Sequence, residues 1–357
     1  MVIQSAMSDT TSSGGGLVNM GLTCYGNSVI QNLRNIPKVL WILEDGHYNT
    51  LLYKGTKLTS ERETKQNLTK AFAEVVQLLT KCKSGQSVRP GHLWSSLVPA
   101  VKDTLYEQFA RKMFHDAHEF FHLILECIHQ STIQDVDMKI VRPPPTTPRE
   151  KLIHQALESW QLYFSKEYSP FVHIFYGMFH QKTVCDSCKN VTHRWEPFNS
   201  LKVPISSEPC DIFKALGEDL SKAEKIEEYQ CDACGPPRKT VTRYGNIWKM
   251  PQVLVLNLKR FVNNGQKINT PVMPVPLTKI DMSSYYSEDS PERVVGECDY
   301  TLRGTVDHHG SSMGGHYTAQ SRHSKSDVWN VYDDESVQPC PAPSFGSSTY
   351  MLFLEKA

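Results

Sequence analysis

Net charge is absent from this chain of 357 residues: 38 Lys and Arg stand against 38 Asp and Glu. No long-range field therefore invites a polyanion, and nucleic acid is not an expected partner. Long apolar runs are absent as well. No stretch approaches the roughly 18 consecutive apolar residues of a membrane-crossing helix, and no basic segment leads into an apolar one near residue 1, so neither a span nor a secretion signal is expected. A disulfide framework is missing too. The ten cysteines fall into two C-x-x-C pairs and six single residues, which suits a reducing compartment, cytosol or nucleus, with one metal site and one nucleophile. No internal repeat is found. At 39% hydrophobic and 21% charged residues, the chain is not disordered throughout and has room for one large domain or two small ones.

Residues 1–15 are rich in Ser, Thr and Gly and read as a flexible lead-in, with an ordered domain over 16–357. The pattern is helical from Gly16 to about Cys127. It predicts a short helix from Cys24, one over 68–79 and one over 116–128 that gathers Ala117, Phe120, Phe121, Ile124 and Leu125 on one face. Four prolines between Val141 and Pro148 make a connector. A helix over 149–165 follows, and then strands are expected over 171–180, 195–205, 239–248, 253–261, 300–307, 316–322, 328–332 and 350–354. A helical lobe followed by a sheet-rich one is α+β, and a reaction centre between two such lobes is physically reasonable.

Cys185-x-x-Cys188 and Cys231-x-x-Cys234 sit in strand-like sequence with turn residues inside each pair. Two such knuckles present four thiolates to Zn²⁺, and with every position taken by Cys no place is left for water, so the metal is expected to be structural. Two other readings stand: one pair is incidental, or the cluster belongs to a nucleic-acid module. Against the latter, Glu196, Glu208, Asp211, Glu218, Asp219 and Glu224 lie between the pairs and leave no basic face.

Cys24 lies between a Gly-containing loop and an amphipathic helix. A thiol at a helix N-terminus meets unpaired amides and the positive dipole end, both of which favour thiolate; the bland alternative is a small buried hydrophobe. In Gly314-Gly315-His316-Tyr317 the glycine pair lets backbone approach a ligand, and His316 is placed to serve a thiol as base. Asp333 and Asp334 end a later strand, where either carboxylate can accept an imidazole N–H and fix its tautomer. Asp116 and Glu119, three apart on a helix, either face one groove or cap the helix.

Together these blocks resemble the ubiquitin-specific protease family of deubiquitinases. The run from Gly16 to Gln31 is similar to its Cys box, and Asp116-Ala117-His118-Glu119-Phe120 to its Q-x-D-A-x-E-F element. Phe175-x-Gly177 and the strand from Pro251 to Lys259-Arg260-Phe261 fit as well. Tyr300-x-Leu302, Gly314 to Tyr317, Tyr332-Asp333-Asp334 and Tyr350 to Phe353 resemble its His box and closing strand, so the likeness covers Gly16 to Glu355 in the family's order.

The resemblance implies a papain-like cysteine protease with a right-hand architecture. A helical thumb would occupy 16–135, fingers and palm strands 165–260 with a zinc ribbon at 185–234, and a palm carrying the His box 261–357. The implied activity is hydrolysis of the (iso)peptide bond at the C-terminal glycine of ubiquitin through a thioester on Cys24, with His316 as base and Asp333 as orienter. Asp334 is the alternative orienter, and Asn19 would stabilise the oxyanion. Asp116, Glu119, His308, Gly314, Gly315 and Tyr317 would meet the substrate tail. Implied partners are ubiquitin or ubiquitinated proteins, with regulatory proteins besides, and Zn²⁺ with no organic cofactor. Two alternatives remain: a protease for a ubiquitin-like modifier, and an inactive ubiquitin-binding scaffold. Four positions depart from the family pattern, one of them Asn257, which replaces the customary His of the Lys-Arg-Phe strand and is expected to be neutral. Leu22 stands where Asn is usual and Gly26 where a bulkier residue is usual, changes expected to loosen the loop. Phe114 replaces the Gln that opens the second box and bears on the choice of modifier.

Overall fold

The computed structural model describes residues 14–55, 59–205, 208–262, 265–311 and 314–357. Most of the expected lead-in, residues 1–13, lies outside them, as do Ser312 and Met313. The chain forms two compact units. One comprises Met1–Thr132, Arg303–Ser344 and Ser348–Tyr350, the other Ile133–Leu302, Phe345–Ser347 and Met351–Ala357.

In the first unit, helix Ser60–Lys81 starts where the Thr59 side chain accepts from the Arg62 N–H, with Glu61 and Glu63 in its first turn, an arrangement that satisfies orphan donors and complements the dipole. It buries Leu68, Phe72, Val76 and Leu79 against helix Ala117–Thr132, which turns Phe120, Phe121, Ile124 and Leu125 inward. The apolar period of both segments is the cause. Helix Gly91–Val101 was not expected, because Gly91 and Pro99 read as breakers; it nonetheless buries Leu93, Leu97 and Val101. Strand Gly314–Arg322 pairs antiparallel with Gly304–Ser311, matching His309 to His316 and Gly310 to Gly315. On its other side it pairs with Trp329–Asp333, which pairs in turn with Ser336–Cys340.

The second unit is built on strand Val253–Leu258, buried at every position, antiparallel to Met351–Glu355 and parallel to Leu201–Val203. Arg260, fully buried, donates to the carbonyls of Ile268, Thr270 and Gly346 at 2.8, 2.9 and 3.0 Å, so its charge is met by peptide dipoles. A four-stranded sheet runs in the order Val191–Phe198, Gly177–Cys185, Lys239–Lys249, Glu224–Tyr229. Helix Pro148–Phe164, opened by a Thr147/Glu150 capping box, packs Ala156 and Trp160 on Met178, Trp195 and Trp248 of that sheet.

The single strand expected over 171–180 is instead helix Pro170–Phe175 followed by strand Gly177–Cys185. Pro170 at the first helical position, where a missing N–H costs nothing, starts that helix. At Gly177 an added Cβ would lie 2.6 Å from the Lys249 carbonyl oxygen and 2.5 Å from the Phe198 ring, so the sheet closes only over glycine.

Candidate active site and thiol cluster

Helix Cys24–Arg34 is buried along its whole length although half its residues are polar. Each polar side chain has a fixed task. Asn27 donates to the Leu17 carbonyl and to Asp334 Oδ1 at 3.3 and 2.7 Å. Asn32 donates to the Thr305 carbonyl at 2.9 Å and Gln31 to the Gly15 carbonyl at 3.1 Å. Asn35, just beyond, donates to the Tyr332 hydroxyl at 3.2 Å. The Nδ2 groups bonded in this way fix the helix against strand Trp329–Asp333 and its neighbours, although the buried Oδ1 atoms of Asn27 and Asn32 find no partner among the described residues.

The loop before Cys24 is organised by Asn19. Its Oδ1 accepts from the N–H groups of Gly21 and Thr23 at 2.9 and 3.1 Å, while Nδ2 donates to Asp334 Oδ2 at 2.8 Å. The turn this closes holds Gly21 at φ 95° and Leu22 at φ 61°. Asn adopts that left-handed backbone at lower cost than a branched apolar side chain, which is what the departure at Leu22 means physically. Gly16 completes the clamp. An added Cβ there would lie 2.2 Å from the Glu335 carbonyl oxygen, while Leu17 N–H donates to the Asp334 carbonyl at 2.8 Å.

His316 Nε2 and Asp333 Oδ1 are 2.5 Å apart, a hydrogen bond in which the carboxylate accepts the imidazole N–H. The Asp334 carboxylate lies within 4.8 Å of the imidazole nitrogen but is engaged by Asn19 and Asn27, so of the two candidate orienters it is Asp333 that bonds the imidazole. The Cys24 sulfur accepts from the N–H of Tyr317, the residue directly after His316. The helix start thus brings the thiol to the residue next to His316, whose ring is held by Asp333 from the neighbouring strand.

The expected drop in the Cys24 pKa is not what this arrangement gives. Burial pushes the thiol above its ordinary value; the Tyr317 N–H pulls against that, Asp334 adds to the rise, and the N–H groups of Tyr25 and Cys24 itself pull it back only in part. Desolvation outweighs these N–H groups because Cys24 is 3% exposed.

Asp116 caps helix Ala117–Thr132. Its Oδ1 accepts from the N–H groups of His118 and Glu119 at 2.7 and 3.1 Å, and Oδ2 accepts from the Tyr350 hydroxyl at 2.5 Å. Glu119, one turn on, is exposed. The His308 ring lies 4.6 Å from that of Tyr317 and so close over Gly315 that a Cβ there would meet Nε2 at 2.5 Å. Phe114, half exposed, lays its ring against Gly314. Gly26 makes room for Trp94, whose ring would stand 2.5 Å from a Cβ at that position. The bulk missing from the helix is thus supplied from elsewhere. Asn27 and the Tyr317 N–H were not among the candidates. For Asn27 a signal exists, since uncharged polar residues at 27, 31, 32 and 35 make a helix face too polar for a core and too uncharged for solvent.

In the second unit the sulfurs of Cys185, Cys188, Cys231 and Cys234 all lie within 4.8 Å of one another. Cys185 and Cys234 are 3.9 Å apart, Cys188 and Cys231 3.6 Å. Four Zn–S bonds of about 2.3 Å in a tetrahedron require edges of about 3.8 Å, so this donor set fits a metal ion.

A family model described as Ubiquitin carboxyl-terminal hydrolase matches residues 15–354. Among curated proteins, Ubiquitin carboxyl-terminal hydrolase 2 of Bos taurus is 27% identical over 358 residues, covering 96% of this chain and 55% of that protein. Ubiquitin carboxyl-terminal hydrolase Usp2 of Drosophila melanogaster is also 27% identical, over 350 residues, covering 96% of this chain and 34% of its own length. The chain therefore spans about half the length, or less, of these relatives. Among solved structures, the SAGA Ubp8/Sgf11/Sus1/Sgf73 DUB module bound to ubiquitin aldehyde superposes with a TM-score of 0.69 at 22% identity, covering all of this chain and 72% of the other. The yeast SAGA DUB module with an Sgf73 variant gives the same score and identity over 71% of its chain. At that identity the likeness establishes the fold, the mixed helix and sheet architecture expected above.

Proposed function

Because the chain belongs to the ubiquitin carboxyl-terminal hydrolase family, we propose that it is a thiol-dependent deubiquitinase, hydrolysing the (iso)peptide bond that follows the C-terminal glycine of ubiquitin. The observation that carries this reading is the 2.5 Å contact of His316 with Asp333 beside a Cys24 sulfur that rests on the Tyr317 N–H.

In this mechanism Asp333 accepts the Nε2–H of His316, which leaves the other ring nitrogen, Nδ1, to take the thiol proton. Burial pushes the Cys24 thiol up, so the thiol needs a base, and His316 takes its proton as substrate is attacked. The thiolate attacks the glycine carbonyl, and His316 returns the proton to the departing amine. Water then attacks the thioester with His316 again as base. Asn19 Nδ2 carries two hydrogens; Asp334 takes one, and the other, with backbone amides at the helix start, serves the oxyanion. Gly314 and Gly315, with His308 and Tyr317 about them, line the tail. Asp116 acts through the helix it caps and Glu119 attracts the basic residues of the tail.

Zinc is the metal we assign to the four cysteines. It supplies no reaction step and holds the two knuckles of the four-stranded sheet together. That cluster and the nucleophile both need reduced thiols, which supports a cytosolic or nuclear setting. Ubiquitinated proteins are the expected substrates, and regulatory proteins remain expected partners. Among the described residues no helix is long and apolar enough to cross a membrane.

Hydrolysis of a fluorogenic amide at the ubiquitin C-terminus tests the reading. The expected result is turnover that falls about 10³-fold or more in Cys24→Ala; a zinc-loaded, folded sample that turns over no ubiquitin substrate contradicts it. Phe114 favours one second reading, a ubiquitin-like modifier, since an apolar ring lies against Gly314. Turnover of such a modifier in place of ubiquitin would establish it.

A further inference from the structure

The run His118-Glu119-Phe120-Phe121-His122 puts two imidazoles one turn apart on helix Ala117–Thr132. Their Nε2 atoms face each other at 3.0 Å, with ring centroids 4.4 Å apart and planes at 80°. Two neutral imidazoles reach that distance only when one Nε2–H donates to the lone pair of the other. We propose that this pair is a second transition-metal site, independent of the thiol cluster and of the hydrolase reading.

Two Zn–N bonds of about 2.0–2.1 Å span the present gap at an N–Zn–N angle of about 95°. A few tenths of an ångström of side-chain rotation opens that to a tetrahedral angle. Metal entry needs both rings in the tautomer with the hydrogen on Nδ1, so that both Nε2 lone pairs face the ion.

The site is preorganised. Phe120 and Phe121, both 0% exposed, fix the rotation of the helix between the two ligands, and His118 is itself 6% exposed. His122 is half-buried and gives the ion its way in. Imidazole pairs of this kind select borderline cations, Zn²⁺, Ni²⁺ or Cu²⁺, over Mg²⁺ or Ca²⁺.

H-E-x-x-H on a helix also describes metalloprotease sites, where a third protein ligand completes the set. Here no third His, Cys, Asp or Glu joins the two among the described residues. With two protein ligands one turn apart, the site is a regulatory or structural clamp on the first turns of the helix that Asp116 caps.

The test uses the whole chain with its cysteine cluster already zinc-loaded, dialysed to equilibrium against rising zinc. The expected result is a second equivalent of bound zinc in the wild type, lost in His122→Ala while the first is kept. Imidazole ¹⁵N spectra of the wild type, which do not depend on the variant folding, should show the Nε2 signals of His118 and His122 moving together as the second ion binds. One equivalent only, a second equivalent that survives His122→Ala, or unmoved His118 and His122 signals would overturn the proposal.

Discussion

Leu22 holds φ at 61°, a conformation that costs a branched L-residue about 1–2 kcal/mol, on a loop whose far end is Cys24. Leu22→Asn should raise stability by about 1 kcal/mol, read as a later urea midpoint at unchanged slope; an earlier midpoint would mean the Leu side chain contributes contacts that outweigh the strain. At Cys24 the sign of the pKa shift sets a second expectation. With the thiol above its ordinary value, alkylation of the free protein by a small haloacetamide should keep climbing as pH rises through 8 and 9. A plateau reached below pH 7 would instead reveal a standing thiolate–imidazolium pair. The neighbouring aspartates should separate as well. Asp333→Asn is expected to lower kcat by about 10²–10⁴-fold with KM little changed, because it leaves the imidazole with the wrong tautomer. Asp334→Ala should cost about 1–3 kcal/mol of stability by orphaning the Asn19 and Asn27 amides.

Elements differ in how far their residues announced them. Helices Ser60–Lys81 and Ala117–Thr132 were legible because apolar residues recur at helical spacing over several turns. Helix Gly91–Val101 was hidden by Pro99, whose missing N–H is tolerated within an otherwise buried stripe. Strand Glu224–Tyr229 escaped notice because an edge strand exposed at most positions needs no apolar alternation. At the site, the reacting side chains could be read from the sequence since each sits in a motif. The network behind them, Asn27 and Asn19 both on Asp334, could not, because it joins residues about 300 positions apart. Helix Cys24–Arg34 gives a direct check on packing. Gly26→Ala drives a methyl into Trp94 and should cost about 1–3 kcal/mol, measured by denaturant unfolding; a neutral outcome would show that the indole can move aside.

Across the molecule, buried histidines set the response to acid. Burial holds His129 and His180 down to about 4, and burial with Arg34 and Lys325 does the same for His323. The unfolded chain, with imidazoles near 6.5, then binds more protons than the folded one. Stability is complete above about pH 6.5 and falls as pH drops toward 4, by on the order of 1–3 kcal/mol for a group as buried as His129. A stability profile flat between pH 7 and 4.5 would refute this. The central claim is that Cys24, His316 and Asp333 work as one on the tail of ubiquitin. It is tested most directly by reacting the folded, zinc-loaded protein with ubiquitin bearing a C-terminal electrophile and mapping the adduct by peptide mass spectrometry. One ubiquitin per chain on Cys24, abolished in Cys24→Ala and slowed in Asp333→Asn, is the predicted result. No adduct, or one on any other cysteine, would contradict it.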